Sequence, residues 1–321
     1  MMPINPPRLL TLLLLPLSFT VTAGEDATHW LERMSQAVHQ LNYDGTFVYM
    51  HGSELETMRL IHAVDGSGER ERLVSLSGPS REVIREHGQV TCYLPQKTAL
   101  VANHPEVPPG FPLNLPTHWA QLGEVYELKL QGESRIAGKQ ARHVAIVPRD
   151  GLRYGQNYWI DSESGLLLRT DIVDEQGKVV EQLEFTSLEV MTKVAPQMLQ
   201  PEAGSQAVQV TPAEPAAMTV SQTLHWQVAE LPAGFELELQ RQHAMNDNGV
   251  AVEHLIFSDG LSSVSVFIEP RLGSDESGGS SQRGSVNAYT HLLPEQRVTV
   301  LGEVPLVTVK QIALSIAPLT Q

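Results

Sequence analysis

The chain has 321 residues, 41% of them hydrophobic and 18% charged, and its 22 Lys+Arg against 37 Asp+Glu give a formal net charge of −15. That apolar fraction is too high for a mainly disordered chain, and the acidic balance lacks the basic footprint that a nucleic-acid binder needs, so no nucleic acid is expected as a partner. The one cysteine, Cys92, excludes an intrachain disulfide and any cysteine-built metal cage.

Residues 1–23 (MMPINPPRLLTLLLLPLSFTVTA) hold one charge, Arg8, then an apolar stretch from Leu9 to Val21, and end on Val21-Thr22-Ala23. This pattern predicts a cleavable secretory signal, too short for a stable membrane helix. No cysteine follows the expected cleavage point, so a lipoprotein is not expected. The destination is an oxidising compartment, the periplasm of a bacterium.

Glu25 to Leu41 predicts an amphipathic helix, with Trp30, Met34, Val38 and Leu41 at helical spacing. The period then changes to that of strands: 45–51, 55–64, 69–76, 81–87, 89–95 and 98–102 are short, β-branched or aromatic, and punctuated by turns such as Asp65-Gly66-Ser67-Gly68. HPEVPPGFPLNLP (104–116) has five prolines and cannot lie inside a sheet. A short helix is expected over 117–124. A second strand set follows at 125–133, 139–148, 154–161, 166–174 and 178–190. About eleven strands and one long helix predict a curled antiparallel sheet with the helix on its concave face.

Residues 195–220 carry only two charges and no sustained period, and read as a linker or an extended connecting strap. Residues 221–321 predict a smaller α+β unit. Its strands flank Leu231-Pro232-Ala233-Gly234 and Ser258-Asp259-Gly260. Its Gly/Ser-rich segment 273–285 reads as a mobile loop, and a helix from Val304 to Ala317 closes it. The expected organisation is therefore 1–23 signal, 24–194 first domain, 195–220 linker and 221–321 second domain, in a mostly β, α+β fold.

Catalytic signatures are missing. There is no G-x-S-x-G elbow, no P-loop, and no G-x-G-x-x-G opening a helix. No cofactor is expected, and no catalytic residue. Of the twelve histidines the nearest pair, His29 and His39, is ten residues apart, so no local metal motif exists and no metal is expected; ligands could come only from distant segments. Cys92 alternates with Val90 and Leu94 and reads as a small buried hydrophobe.

Binding features remain. Phe47, Tyr49, Leu60, Tyr93 and Trp159 come from well-separated strands. Either they line an apolar cleft beside the first helix, taking lipid or acyl chains, or they are the core packed beneath it. Arg70, Arg72, Arg81 and Arg85 sit on neighbouring strands. They form either a phosphate-binding cluster or a solvated face paired with Glu69, Glu71, Glu82 and Glu86.

Five strings, in order, resemble the MucB/RseB family of sigma-E regulatory proteins: WLERMSQAVHQLNYDGTFVY (30–49), the run from Ile136 to Val190, LPAGFELELQR (231–241), FSDGLSSVSVFIE (257–269) and VTVLGEVPLVTVKQIALSI (298–316). The resemblance implies a first domain similar to the lipoprotein carriers LolA and LolB, an unclosed β-barrel covered by helices. It implies no enzymatic activity. It implies a negative regulator that binds the periplasmic part of a membrane anti-sigma factor (RseA or MucA) and shields it from proteolysis. Release is expected on binding a stress ligand, lipopolysaccharide (lipid A) or a mislocalised lipoprotein, and alginate regulation is the output in mucoid-type systems. The anti-sigma segment is expected on the second domain, at Phe257, Ser258, Asp259, Val266 and Phe267. The alternative reading is a periplasmic carrier of lipid or lipoprotein. Whether the chain forms a homo-oligomer is left open by the sequence.

Overall fold

The computed structural model describes residues 26–86, 89–94, 115–116, 119–202, 206–209, 225–244, 251–271, 273 and 277–319. The expected signal segment, the strand at 98–102 and nearly all of the proline-rich run lie outside these residues. No helix among the described residues is long and apolar enough to cross a membrane.

Helix α1 (Ala27–Gln40) starts where Asp26 caps it, accepting a hydrogen bond from the His29 backbone N–H at 2.8 Å. Its buried face is Ala27, Trp30, Leu31, Met34 and Ala37; of the stripe expected from the periodicity, Trp30 and Met34 are buried, Val38 is half-buried, and Leu41 is the C-cap just past the helix end. A hairpin meander follows: β1 (Asn42–His51), β2 (Glu54–Asp65), β3 (Gly68–Ser75), β4 (Glu82–Glu86) and β5 (Gln89–Leu94). After a 3-10 turn at Trp119–Glu124, where a short helix was expected, come β6 (Tyr126–Ile136), β7 (Lys139–Pro148), β8 (Gly155–Asp161), β9 (Leu167–Val173) and β10 (Val179–Met191).

The two meanders join because β1 pairs with β10 as well as β2 and, with a further strand β11 (Gln206–Gln209), form one antiparallel sheet ordered β11-β5-β4-β3-β2-β1-β10-β9-β8-β7-β6. The first and last strands in that order are not paired to each other, so the barrel is unclosed. Within 195–220, Pro196–Leu199 forms a 3-10 turn and Gln206–Gln209 is β11, which pairs with β5. That part of the expected connecting segment is a strap on the first sheet.

Two apolar clusters fill the space between α1 and the curled sheet. One gathers Phe47, Met58, Leu60, Leu73, Val83, Phe185 and Leu188. The other holds Trp30, Leu31 and Met34 against Tyr126, Val144, Ile146, Tyr158 and Ile160. A smaller cluster, Ile61, Ala63, Val194 and Leu199, lies on the opposite face of the sheet beneath the strap.

The second unit is a six-stranded antiparallel sheet, ordered β13 (Glu236–Ala244), β14 (Ala251–Ser258), β15 (Ser263–Pro270), β18 (Gln296–Gly302), β17 (Val286–Leu292) and β16 (Gly279–Arg283). Helix α2 (Leu306–Leu314) packs Val309, Ile312 and Ala313 onto Val264, Val266, Val298 and Val300. It is shorter than expected because Ile316–Pro318 turns into a strand, β19, that pairs with β12 (Trp226–Val228). The segment expected as a mobile loop also differs: Gly279–Arg283 forms an edge strand whose side chains are all exposed. The molecule is thus mostly β, with a large open antiparallel sheet under a helix and a separate smaller α+β sheet.

Candidate functional site

Strand alternation decides what each predicted side chain can reach. Phe47 and Leu60 point onto the helix-covered face and are buried in the core, with Phe47 tilted against Phe185 at a centroid separation of 5.4 Å. Tyr49 and Trp159 are partly buried at the rim of the same cluster. The Tyr49 hydroxyl donates to Glu181 Oε1 at 2.7 Å, and burial, then the Glu181 charge, pushes its pKa up. The Trp159 ring stacks on His143 at 4.4 Å and carries the Arg169 guanidinium 4.5 Å from its centroid. Tyr93, on β5, is half-buried. Four of the five residues therefore share one cluster.

Little room is left there. The gap lined by Val38, Tyr43, Leu166, Leu167, Phe185 and Leu188 is about 10 Å³, roughly what one water molecule needs. Cys92 is half-buried at the edge of this cluster, and burial raises its thiol pKa.

The four arginines divide between the faces of the sheet. In the β2–β3 register His62 is opposite Glu71, and in β3–β4 Glu71 is opposite Arg85, so these three face the helix side. Arg70 and Arg72 alternate with Glu71 and take the other side. Each arginine meets a carboxylate: Arg70 with Asp65 at 2.5 Å, Arg72 with Glu82 at 2.8 Å, Arg81 with Glu56 at 2.5 Å and Arg85 with Glu71 at 2.5 Å. Arg72 also donates to the Met198 carbonyl at 3.1 Å, which fastens the strap.

The densest polar chemistry lies where the two sheets meet, and most of its residues were not singled out in the sequence. The tight turn between β7 and β8 sends Arg153 into this junction. Its guanidinium and the Asp259 carboxylate are fully enclosed and 2.6 Å apart. Arg153 also donates to both Asp150 oxygens at 3.1 Å and to the Ala233 carbonyl at 2.7 Å, with its charge over the Tyr126 and Phe235 rings. Burial works to lower the Arg153 pKa, but the bond to Asp150 and the Asp259 charge outweigh it and hold it above its ordinary value. Asp259 accepts in addition from Tyr126 Oη at 2.8 Å and from the Leu261 and Ser262 backbone N–H groups at 2.9 and 2.7 Å. Gly234 stands at φ +82°, and a Cβ there would come within 2.8 Å of Val125, so the close approach of the two units needs glycine.

Two further contacts cross the junction. Asn287 donates to Tyr154 Oη and to the Val304 carbonyl, both at 2.8 Å, while Thr308 Oγ1 donates to the Leu152 carbonyl at 2.6 Å. On the other flank Ser285 Oγ donates to Glu181 Oε2 at 2.5 Å, and the Glu303 carboxyl is pushed up to about 7, by desolvation first and the Glu181 charge second. Glu303 is exposed at the rim, where water screens part of that effect.

Of the five residues expected to meet a partner, Asp259 is spent on this junction. Phe257 and Val266 belong to the second core. Ser258 Oγ accepts from the Gly260 N–H at 3.0 Å, and the Phe267 ring stacks on His254 at 4.1 Å. On the outer side of α2 a shallow groove of about 330 Å³ runs past Val307, Lys310 and Leu314.

The order of these elements matches known families. The model of the MucB/RseB N-terminal domain matches residues 26–203, and that of the MucB/RseB C-terminal domain matches residues 220–317. The chain is 36% identical over 304 residues to the sigma factor AlgU regulatory protein MucB of Pseudomonas aeruginosa, with 92% of each chain covered. Among solved structures it is similar to MucB in complex with MucA(peri), at 33% identity and a TM-score of 0.76, covering 92% of this chain and 100% of that one. A crystal structure described as MucB matches at 32% identity and a TM-score of 0.61, covering 91% of this chain and 98% of that one.

Proposed function

The chain belongs to the MucB/RseB family, and from that premise we propose that it is a periplasmic negative regulator of sigma-E-type envelope stress signalling. It binds the periplasmic part of a MucA- or RseA-like anti-sigma factor and shields that segment from proteolysis. One observation carries this reading: the likeness to MucB held in complex with MucA(peri) runs through both units, in order, over nearly the whole chain. Its role is binding rather than catalysis, and the segment at 1–23 is the export signal that brings it to its partner.

Release follows from a lipid or lipoprotein ligand. The gap of about 10 Å³ lined by Val38, Tyr43 and Phe185 is too small for an acyl chain, so a chain entering there would have to lift α1 from the sheet. Each buried CH₂ then contributes ~0.8 kcal/mol toward that displacement. A phosphate that approaches the arginines has to compete with Asp65, Glu82, Glu56 or Glu71 for them. Ligand releases partner only if it prefers an arrangement that binds the partner less well.

The test is capture of the purified periplasmic fragment of a MucA-like anti-sigma factor from the same organism. Stoichiometric capture, with slower cleavage of the fragment by its protease, is expected. Transfer of lipid to an acceptor without capture would instead identify a carrier.

A further inference from the structure

Away from the junction, three distant segments bring ligating atoms together beside the C-terminal end of α1. His39 lies in the last turn of α1, His62 on β2, and Glu69 and Glu71 on β3. Cross-strand pairing places His62 directly opposite Glu71, and alternation puts Glu69 on the same face. The nearest atoms of His62, Glu69 and Glu71 all fall within 4.8 Å of one another. His39 Nδ1 is 3.2 Å from Glu69 Oε1 and His62 Nε2 is 2.8 Å from that same oxygen.

The tautomer of His62 matters most. Its side chain is fully buried and stacked on the Tyr43 ring at 4.7 Å. Its Nδ1 lies 2.7 Å from the Leu41 carbonyl, which can only accept, so Nδ1 carries a hydrogen. Nε2 faces the Glu69 carboxylate, and either a proton on that nitrogen or a cation in its place satisfies the pair. A metal-bound histidine has this arrangement: one ring nitrogen donates to a backbone carbonyl while the other ligates. Arg85 holds Glu71 from behind at 2.5 Å, as an outer partner would.

We propose that His39, His62, Glu69 and Glu71 form a site for a divalent transition metal of the zinc class. Two imidazoles and two carboxylates suit such an ion rather than Ca²⁺ or Mg²⁺, which take oxygen ligands. A tetrahedral Zn²⁺ with bonds near 2.1 Å spaces its ligand atoms about 3.4 Å apart. Glu69 Oε1 would part from His39 Nδ1 by about 0.2 Å and from His62 Nε2 by about 0.6 Å, the atoms of His62, Glu69 and Glu71, which lie within 4.8 Å of one another, would adjust around the ion, and His39 would join them through its contact with Glu69. Because His39 is on the helix and the other ligands are on the β2–β3 hairpin, the ion would tie the end of α1 to the sheet. The sequence offered no sign of it, since no two of the four residues form a recognised metal motif.

The test uses the mature chain stripped with chelator and titrated with Zn²⁺ by calorimetry at pH 7.5. One saturable equivalent is expected. Co²⁺ substitution should give the visible absorption of a tetrahedral centre. His39 is largely exposed, so His39→Ala should keep its far-UV circular dichroism while losing at least tenfold in affinity, and Glu69→Gln should do the same. His29→Ala, at the far end of α1, should bind like the parent. Zn²⁺ should raise the melting temperature of the parent and not of His39→Ala. Absence of a saturable equivalent, or equal affinity in the parent, His39→Ala and Glu69→Gln, overturns the proposal.

Discussion

The Arg153–Asp259 pair concentrates the energetics of single residues. Both charges are fully enclosed, so removing one strands the other, which costs about 3–5 kcal/mol. Arg153→Ala is expected to lose that much in urea unfolding, because Asp259 keeps only Tyr126 and two backbone donors. Asp259→Ala should lose less, since Arg153 retains Asp150 and the Ala233 carbonyl. The double variant should cost less than the sum of the two, as coupled sites do. Glu303 gives a pH dependence of defined sign. Its carboxyl is held up to about 7 in the folded chain against an ordinary 4.5. Between those values the folded state binds a proton that the unfolded state does not, so stability falls as pH rises and levels off above about 7. Glu303→Gln should flatten that slope in melting temperatures taken at pH 5, 6, 7 and 8; a slope equal to the parent's would remove Glu303 as its source.

Among the elements, α1 is both the lid of the apolar face and the part best legible in the sequence. Its stripe of Trp30, Met34 and Val38 repeats at helical spacing; Trp30 and Met34 are buried and Val38 is partly buried against the same core. Trp30 is 2% exposed with the Arg33 and Arg142 guanidinium groups near its ring. Trp30→Ala should cost about 3–5 kcal/mol and speed hydrogen exchange in α1 ahead of the β1–β10 amides. If acyl chains enter beneath α1, the same variant should take up a fluorescent fatty-acid probe more readily than the parent; unchanged uptake with faster exchange would place acyl binding elsewhere. The meanders were readable for a similar reason, as alternation and turn glycines are local signals. What escaped was whatever depends on partners remote in sequence. Strand β16 has every side chain exposed and so no alternation to read. The apolar stripe of α2 runs on into Ile316, but pairing with Trp226–Val228 makes that residue a strand. Arg153 and Asp259, 106 residues apart, carry no mutual mark in the chain. The arginines looked like one cluster because sequence proximity does not reveal which face of a strand each one takes.

At the scale of the whole molecule, the two units are joined by a few buried polar groups and by Leu261, which packs against the first unit's cluster of Trp119, Leu122 and Tyr126, and a junction of this limited kind can have a second arrangement. The two MucB structures cover similar shares of this chain at similar identity, yet the one in complex with MucA(peri) matches it better. A partner that requires one arrangement of the two units binds it in preference to the other. For such a partner the junction sets the fraction of molecules competent to bind, and apparent affinity falls in proportion to that fraction. Loosening the junction with Asp259→Ala should then weaken capture of the anti-sigma fragment by a factor within the range of about 5–150 usual for coupled sites. The effect should arise although each unit keeps its own circular dichroism. Small-angle scattering of the free variant should report a larger radius of gyration, and saturating fragment should return it to the parent value, because coupling is reciprocal. A ligand that lifts α1 should act on the parent in the same direction as the substitution, expanding the molecule and releasing the fragment together. Expansion with unchanged affinity would mean that the partner rests on one unit alone and that the junction serves stability rather than signalling.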